Sequence, residues 1–292
     1  MKKHKFSIAD LIIKLFIGIL TLLSIFPFYQ TILISLSRKG DRFLHPVFLL
    51  PVHIDFSAYS YLIKEGKVVN GFFVSLFVAV VGTLLSLAVT IPAAYALTKK
   101  SIPGRNIIMN MIIFTMFFSG GLVPYFITVK NLGLVDNLGV MIIPTAVNTF
   151  NLILMKNFFK ELPLSLEESA KIDGARDFTV LLRIIIPTSK PIIAAISLFY
   201  AVDRWNEWWN AMLFINDAHK YPLQLVLRNA IVNVSTMING TSMLEKMQKM
   251  GNSYAESVQN AIIVIAAVPI LLVYPFVQKY FASGIMIGSI KE

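Results

Sequence analysis

The chain contains no cysteine. That excludes a disulfide framework, thiolate metal sites and a cysteine nucleophile. Charge is scarce too: Asp, Glu, Lys and Arg make up 14% of residues, where soluble domains carry about a quarter. Histidine is confined to His4, His45, His53 and His219, none inside a long apolar run. The motifs H-E-x-x-H and G-x-S-x-G are absent, as is any cluster of histidine ligands, so an intramembrane enzyme would lack its usual machinery. No phosphate loop of the Walker type occurs either, and ATP hydrolysis would have to come from a partner.

What the chain has in abundance is apolar surface. Of its 292 residues 56% are hydrophobic, and the mean hydropathy is +0.71. The apolar residues gather into runs long enough to cross a bilayer, which takes about 20 residues. The pattern predicts an all-α membrane protein with six transmembrane helices. They are Leu11 to Leu36, Phe72 to Leu97, Ile107 to Val129, Val140 to Phe158, Ile192 to Ile215 and Ala261 to Phe281. Pro27, Pro92, Pro124, Pro144, Pro269 and Pro275 fall inside these runs; membrane helices accept proline where neighbours satisfy the freed backbone groups.

The net charge is +10, but the cations are scattered between apolar runs. They suit a topology signal and anionic lipid headgroups better than nucleic acid. The basic start, Lys2-Lys3-His4-Lys5, precedes a run too long for a signal peptide and without a convincing cleavage site, so a retained first span is expected. Lys99, Lys100 and Arg105 crowd one short loop; Lys156, Lys160, Lys171, Arg176, Arg183 and Lys190 crowd another. The positive-inside rule puts both loops and both termini in the cytoplasm. The expected organisation is an N-terminal span with its outer loop (1–71), then a five-span core (72–292). That core carries a cytoplasmic segment at 160–190, an outer loop at 216–260 and a cytoplasmic tail.

Between spans four and five the sequence turns polar and helical. Ser165 and Glu168 have capping-box spacing, predicting a helix from Leu166. Gly174 is placed to end it in the left-handed conformation. A second helix fits from Asp177, with Phe178, Leu181, Leu182 and Ile185 along one apolar face. Two short helices joined at a glycine corner make a cytoplasmic elbow that a soluble partner could grip.

The spacing Glu168, Ala170, Gly174, Ile184, Pro187 resembles the E-A-A-x3-G-x9-I-x-L-P motif of permease subunits of bacterial ATP-binding-cassette importers, with Ser169 and Ile186 as mild departures. Asn70-Gly71, Ala93-Ala94-Tyr95-Ala96-Leu97, Phe118-Ser119-Gly120-Gly121-Leu122-Val123-Pro124 and the terminal Gly284-Ile285-Met286-Ile287-Gly288-Ser289-Ile290-Lys291 are similar to sugar-permease sequences. The Ser-Gly-Gly stretch is most like the subgroup handling oligosaccharides from plant or algal polysaccharides. The resemblance implies a multi-pass subunit of the bacterial cytoplasmic membrane, working by alternating access. Its companions would be a homologous second permease, two cytoplasmic ATPase domains, an extracytoplasmic solute-binding protein and membrane lipid. It implies no cofactor on this chain, with ATP and Mg on the ATPase. Glu168, Ser169, Ala170, Gly174, Ile184 and Pro187 would form the ATPase-coupling contact, the small side chains at 169 and 170 permitting close approach. The tail would add a second contact, and the loop at 216–260 would meet the binding protein.

Span five carries Asp203-Arg204-Trp205-Asn206-Glu207-Trp208-Trp209-Asn210. An unpaired ion this deep costs about 2.5 kcal/mol or more, and Arg204 and Glu207 have the i,i+3 spacing to meet on one face. Two readings stay open. Arg204, Trp205, Asn206, Glu207 and Trp208 could line a substrate pathway, with tryptophan stacking on sugar rings and Arg204 drawing in a carboxylate. Alternatively, charge pairing and an interfacial aromatic belt account for them. Asn148 and Asn151 could line the path or serve as interhelical hydrogen-bond glue. The rival function is a secondary transporter driven by an ion gradient, for which no inverted repeat or broken helix is evident in the sequence.

Overall fold

The structure, a computed structural model, describes residues 8–38, 50, 53–237 and 255–289. Among these residues every element is helical and there is no strand. The helices are α1 (Ile8–Ser35), α2 (Ser57–Glu65), α3 (Lys67–Ala96), α4 (Arg105–Phe117), α5 (Leu122–Asn131), α6 (Thr149–Glu161) and α7 (Leu164–Ile172). They continue with α8 (Asp177–Thr188), α9 (Lys190–Trp205), α10 (Trp209–Phe214), α11 (Leu223–Met237) and α12 (Ala255–Ser289).

Two units can be described, 1–68 with 227–268 and 69–226 with 269–292. In the first, Ser35 meets the Tyr59 hydroxyl at 2.8 Å, and Arg38 pairs with Asp55 at 3.1 Å. The Ser57 backbone N–H, ahead of Arg38, holds the Asp55 carboxyl below its ordinary pKa. The second unit carries the elbow and span five.

α1 and α3 are long and apolar enough to cross a membrane, and two bent pairs, α4 with α5 and α8 with α9–α10, bring the number of candidate spans to as many as four. The apolar window of α1 has none of its residues buried within the chain. A row of leucines, isoleucines and phenylalanines therefore faces outward, as lipid or another protein requires.

The structure corrects the expected spans in three places. The third is not one helix: α4 and α5 meet at 118°, with Gly121 at φ +87°, a conformation side chains with a Cβ rarely adopt. In the fourth, only Thr149–Glu161 is α-helical, after a 3-10 turn at Leu138–Met141. Pro144 in the intervening stretch has no N–H to donate and opposes helix continuation. The fifth is interrupted between Trp205 and Trp209, and α8 joins it at a bend of 85°. Broken helices are thus present although no proline or glycine signals the break at Asn206.

Two apolar clusters hold the second unit together. One joins Ala94 and Tyr95 of α3, Leu152, Met155 and Phe159 of α6, Val180, Leu181 and Ile185 of α8, and Ile196 and Tyr200 of α9. The other gathers Val78, Val129, Met141, Ala211, Phe214 and Leu225. At the start of α3, the missing Cβ of Gly71 leaves room for Leu223 and Val226, whose atoms would lie 3.2–3.3 Å from it. The Asn70 amide donates to the His219 carbonyl, and Ser75 accepts from the Leu223 N–H at 2.9 Å.

Candidate functional site

Two short helices, α7 and α8, meet at a corner at Gly174. α7 ends in a Schellman arrangement: Ala175 N–H donates to the Ala170 carbonyl at 2.9 Å and Gly174 N–H to Lys171 at 3.0 Å, with Gly174 at φ +82°. These bonds satisfy carbonyls that a helix end leaves orphaned. Across the corner Lys171 pairs with Asp177 at 3.0 Å, which raises the lysine's pKa.

Two local details differ from expectation. α7 starts at Leu164 behind Pro163, with no side-chain cap, so Ser165 lies inside the first turn and forms no capping box. The buried face of α8 is Val180, Leu181 and Ile185, whereas Phe178 and Leu182 point outward, 68% and 48% exposed. A π-turn at Leu181–Ile185, with Ile186 N–H bonded to Leu181, explains the shift. Its i→i+5 pitch brings Val180 and Ile185 onto one side.

The elbow therefore has two faces. One is anchored to α3, α6 and α9 through the first cluster, and to the turn after α3 through a Lys99–Glu167 ion pair. The other presents Glu168 and Ser169, both exposed, together with the exposed Ile172 (85%) and Phe178. Ala170 and Ile184 are half-buried and Pro187 is exposed. Glu168 forms no ion pair among the described residues. Ala170, Gly174, Arg176, Thr179, Arg183 and Ile184 are among the residues lining a cavity of about 500 Å3. Exposed apolar and acidic side chains beside a concavity can seat a complementary soluble protein.

The span-five cluster is rearranged relative to the sequence reading. Arg204 is buried, 3% exposed, and does not pair with Glu207. Its guanidinium donates to the Thr145 hydroxyl and carbonyl, to the Met141 carbonyl at 3.5 Å and to Ser86 at 3.4 Å. It thus satisfies backbone that the unwound start of the fourth span leaves without partners. Gly82 makes room for it, since a Cβ there would lie 2.9 Å from Arg204 Cδ. Glu207 instead accepts from the Asn210 backbone N–H at 2.9 Å and its amide at 3.1 Å, and Tyr125 donates to Asn210 at 2.7 Å.

The remaining candidates divide by exposure. Trp205 is buried edge-on to Phe72 at 5.6 Å, while Trp208 is half-buried edge-on to Trp209 at 5.6 Å. Asn206 is exposed and accepts from Gln224 at 3.2 Å. Asn148 is exposed, caps α6 by accepting from the Asn151 N–H at 3.1 Å, and donates its own N–H to Tyr200 at 3.2 Å. Tyr200 also bonds Thr90 at 2.8 Å, and Asn151 is buried.

Sequence reasoning missed Asp136. At φ +56° it accepts from the N–H groups of Asn216 and Asp217 at 3.2 and 3.1 Å, and pairs with Lys220 at 3.0 Å. Its own N–H reaches the Phe214 carbonyl at 2.8 Å. It thereby fixes the first residues of the loop at 216–260; residues 238–254 of that loop, and 290–292 of the tail, lie outside the described residues. No local signal marks an aspartate as such a hub. No metal-binding cluster of His, Asp or Glu occurs among the described residues.

No family model matches the chain. The Bacillus subtilis protein LplC is 44% identical over 278 residues, 95% of this chain and 92% of that protein. The polygalacturonan/rhamnogalacturonan transport system permease YtcP of the same organism is 40% identical over 290 residues, 98% and 99% of the two chains. A chain in the crystal structure of a bacterial ABC transporter involved in importing the acidic polysaccharide alginate is 37% identical. It superposes with a TM-score of 0.87 over 96% of this chain and 100% of its own.

Proposed function

This chain belongs to the permease subunits of ABC-type carbohydrate transport systems, and on that premise we propose that it forms one half of the pore of an importer for acidic oligosaccharides, driven through the elbow around Gly174. It is an integral membrane transporter subunit and not an enzyme, since ATPase activity in such systems lies in a separate subunit. ATP and Mg would act there.

The proposed topology has six spans and both termini in the cytoplasm. α4 with α5 and α9 with α10 each count as one broken span, and residues 1–71 form an appendage on a five-span core. A homologous permease completes the pore, two ATPase domains sit beneath, and a solute-binding protein delivers sugar outside, next to the loop at 216–260. The outward apolar face of α1 supports a place against lipid or the sister permease.

The observation that carries the mechanism is the two-faced elbow. Val180, Leu181 and Ile185 are locked to three spans while Glu168, Ser169, Ile172 and Phe178 stand free. ATP-driven closure of the ATPases would move the free face, and close-packed interiors transmit displacement and do not absorb it. Spans α3, α6 and α9 would then reorient between inward- and outward-facing states. Acidic cargo is supported by the similar transporters, named for polygalacturonan, rhamnogalacturonan and alginate. Asn206 and Asn148, which are exposed, and the half-buried Trp208 are the better candidates for sugar contact; Arg204 and Trp205 are positioning residues behind them.

Purification of the tagged chain from native membranes in mild detergent, with mass spectrometry of its companions, tests this reading. A phosphate-loop ATPase and a second permease are the expected companions. A chain recovered alone that still takes up sugar in liposomes under an ion gradient would overturn it.

A further inference from the structure

A second concavity, of about 500 Å3, is lined by the end of α3, the start of α4, the last turns of α6 and the first turn of α7. Five cations line it, Lys99, Lys100, Arg105, Lys156 and Lys160, against one carboxylate, Glu167. Lys99 is already committed to Glu167 and to the Tyr95 ring, 4.0 Å from its centroid. Among the described residues Arg105 donates to neutral acceptors, the Thr98 carbonyl at 3.5 Å and Asn106 at 3.2 Å. Lys100, Lys156 and Lys160 form no ion pair among the described residues.

This arrangement is unfavourable as it stands. Lys156 and Lys160 are spaced i,i+4 on one helix face, where like charges repel, and Lys156 is half-buried. An anion in the cavity would remove the repulsion. The walls say which kind of anion. Met109 and Phe159 contribute apolar surface, and α4 also exposes Ile108 and Met111. The cations sit just past the end of α3, at the start of α4 and in the last turns of α6, and cations flanking apolar helices suit a headgroup layer. We propose that this cavity is a binding site for a phosphate-bearing anion, the headgroup of an anionic phospholipid such as phosphatidylglycerol, with its acyl chains running along α4. The lipid bridges α3, α4 and α6 beside the Lys99–Glu167 contact, and so braces the elbow from the membrane side.

The test uses the intact transporter, with its partners, in nanodiscs of phosphatidylcholine with or without phosphatidylglycerol. Native mass spectrometry reads the lipid retained through delipidation. Wild type should retain phosphatidylglycerol. In Lys156→Gln/Lys160→Gln its binding should weaken about thirtyfold, each basic residue near an anionic surface contributing roughly fivefold. Lys156→Arg/Lys160→Arg should keep it, as should the control Lys64→Gln/Lys130→Gln, which loses the same charge elsewhere. Inorganic phosphate, titrated into the phosphatidylcholine discs, separates the two sources. Protection of the cavity amides from hydrogen exchange by phosphatidylglycerol but not by phosphate supports a lipid. Protection by phosphate alone would overturn the lipid assignment. Equal retention in wild type and the glutamine variant would overturn the site. So would loss of the co-purifying ATPase with lipid retention unchanged, which would give the cavity to a protein contact.

Discussion

Arg204 and Thr145 are joined twice, the guanidinium donating to both the hydroxyl and the backbone carbonyl of the threonine. One side chain of the fifth span thereby satisfies the unwound start of the fourth. A charge buried this way is a structural donor: both terminal nitrogens of the guanidinium are committed to Thr145, Met141 and Ser86, and its Nε alone is buried without a partner among the described residues. It is poorly placed to release the terminal nitrogens to a passing carboxylate.

Arg204→Ala should therefore lower thermal stability in detergent together with uptake. The carbonyls of Met141 and Thr145 would be stranded, at about 1–3 kcal/mol for each buried group left unsatisfied. Thermal unfolding of the purified transporter measures this. Unchanged stability with lost uptake would return Arg204 to the substrate pathway.

Gly82→Ala should be similarly damaging, although alanine is the better helix former. Its Cβ would press on the stem of Arg204 at 2.9 Å, and the anchored guanidinium leaves the stem no retreat. Overpacking of this kind costs about 1–3 kcal/mol. The same substitution made together with Arg204→Ala should cost much less, and a double-mutant cycle on melting temperature would expose the coupling. Additive effects would mean that the contact is slack.

At the elbow, Gly174→Ala forces a side chain into the left-handed region at a cost of about 1–2 kcal/mol, with nothing within 4 Å to clash. Glu168→Lys leaves the fold untouched because the residue is exposed. Both should uncouple ATP hydrolysis from transport while leaving membrane insertion normal. The ratio of sugar imported to ATP hydrolysed in proteoliposomes is the readout, and normal ratios in both variants would remove the elbow from the coupling path.

Asp136 gives the loop after α10 an acid-sensitive hold. The Asp217 N–H first, then Lys220 and the Asn216 N–H, hold its carboxyl below the ordinary value of 3.8. A folded-state pKa below the unfolded one means that the stabilisation is complete above about 3.8 and is lost as pH falls through the lower, folded value. Protection factors at Asn216 and Asp217, from hydrogen exchange, should fall in that acid window for wild type. In Asp136→Asn they should be low already at neutral pH and show no such transition. An acid-independent wild type would rule out the hub.

Gly174 was legible because its role is local: a polar helical stretch, a small residue with a left-handed requirement, and a second helix beyond it. Ser165 misled for a related reason, since a capping box specifies only spacing, and Pro163 had already started the helix. The apolar face of α8 could not be read from a 3.6-residue period, because the π-turn changes the period where it is counted. Arg204 drew attention as a charge inside an apolar run, but i,i+3 spacing pointed to Glu207, which is taken by Asn210. Asp136, Gly82 and Thr145 carried no signal of their own.

The sequence alone determined that the chain is helical and membrane-bound, that it lacks a Walker-type phosphate loop, and that a helix ends at Gly174. Those properties follow from composition and from interactions within a few residues. Tertiary structure decided where the third, fourth and fifth spans break, which face of α8 is buried, and that Arg204 turns inward. Each depends on hydrogen bonds and packing between residues far apart in the chain, whose partners no local pattern specifies.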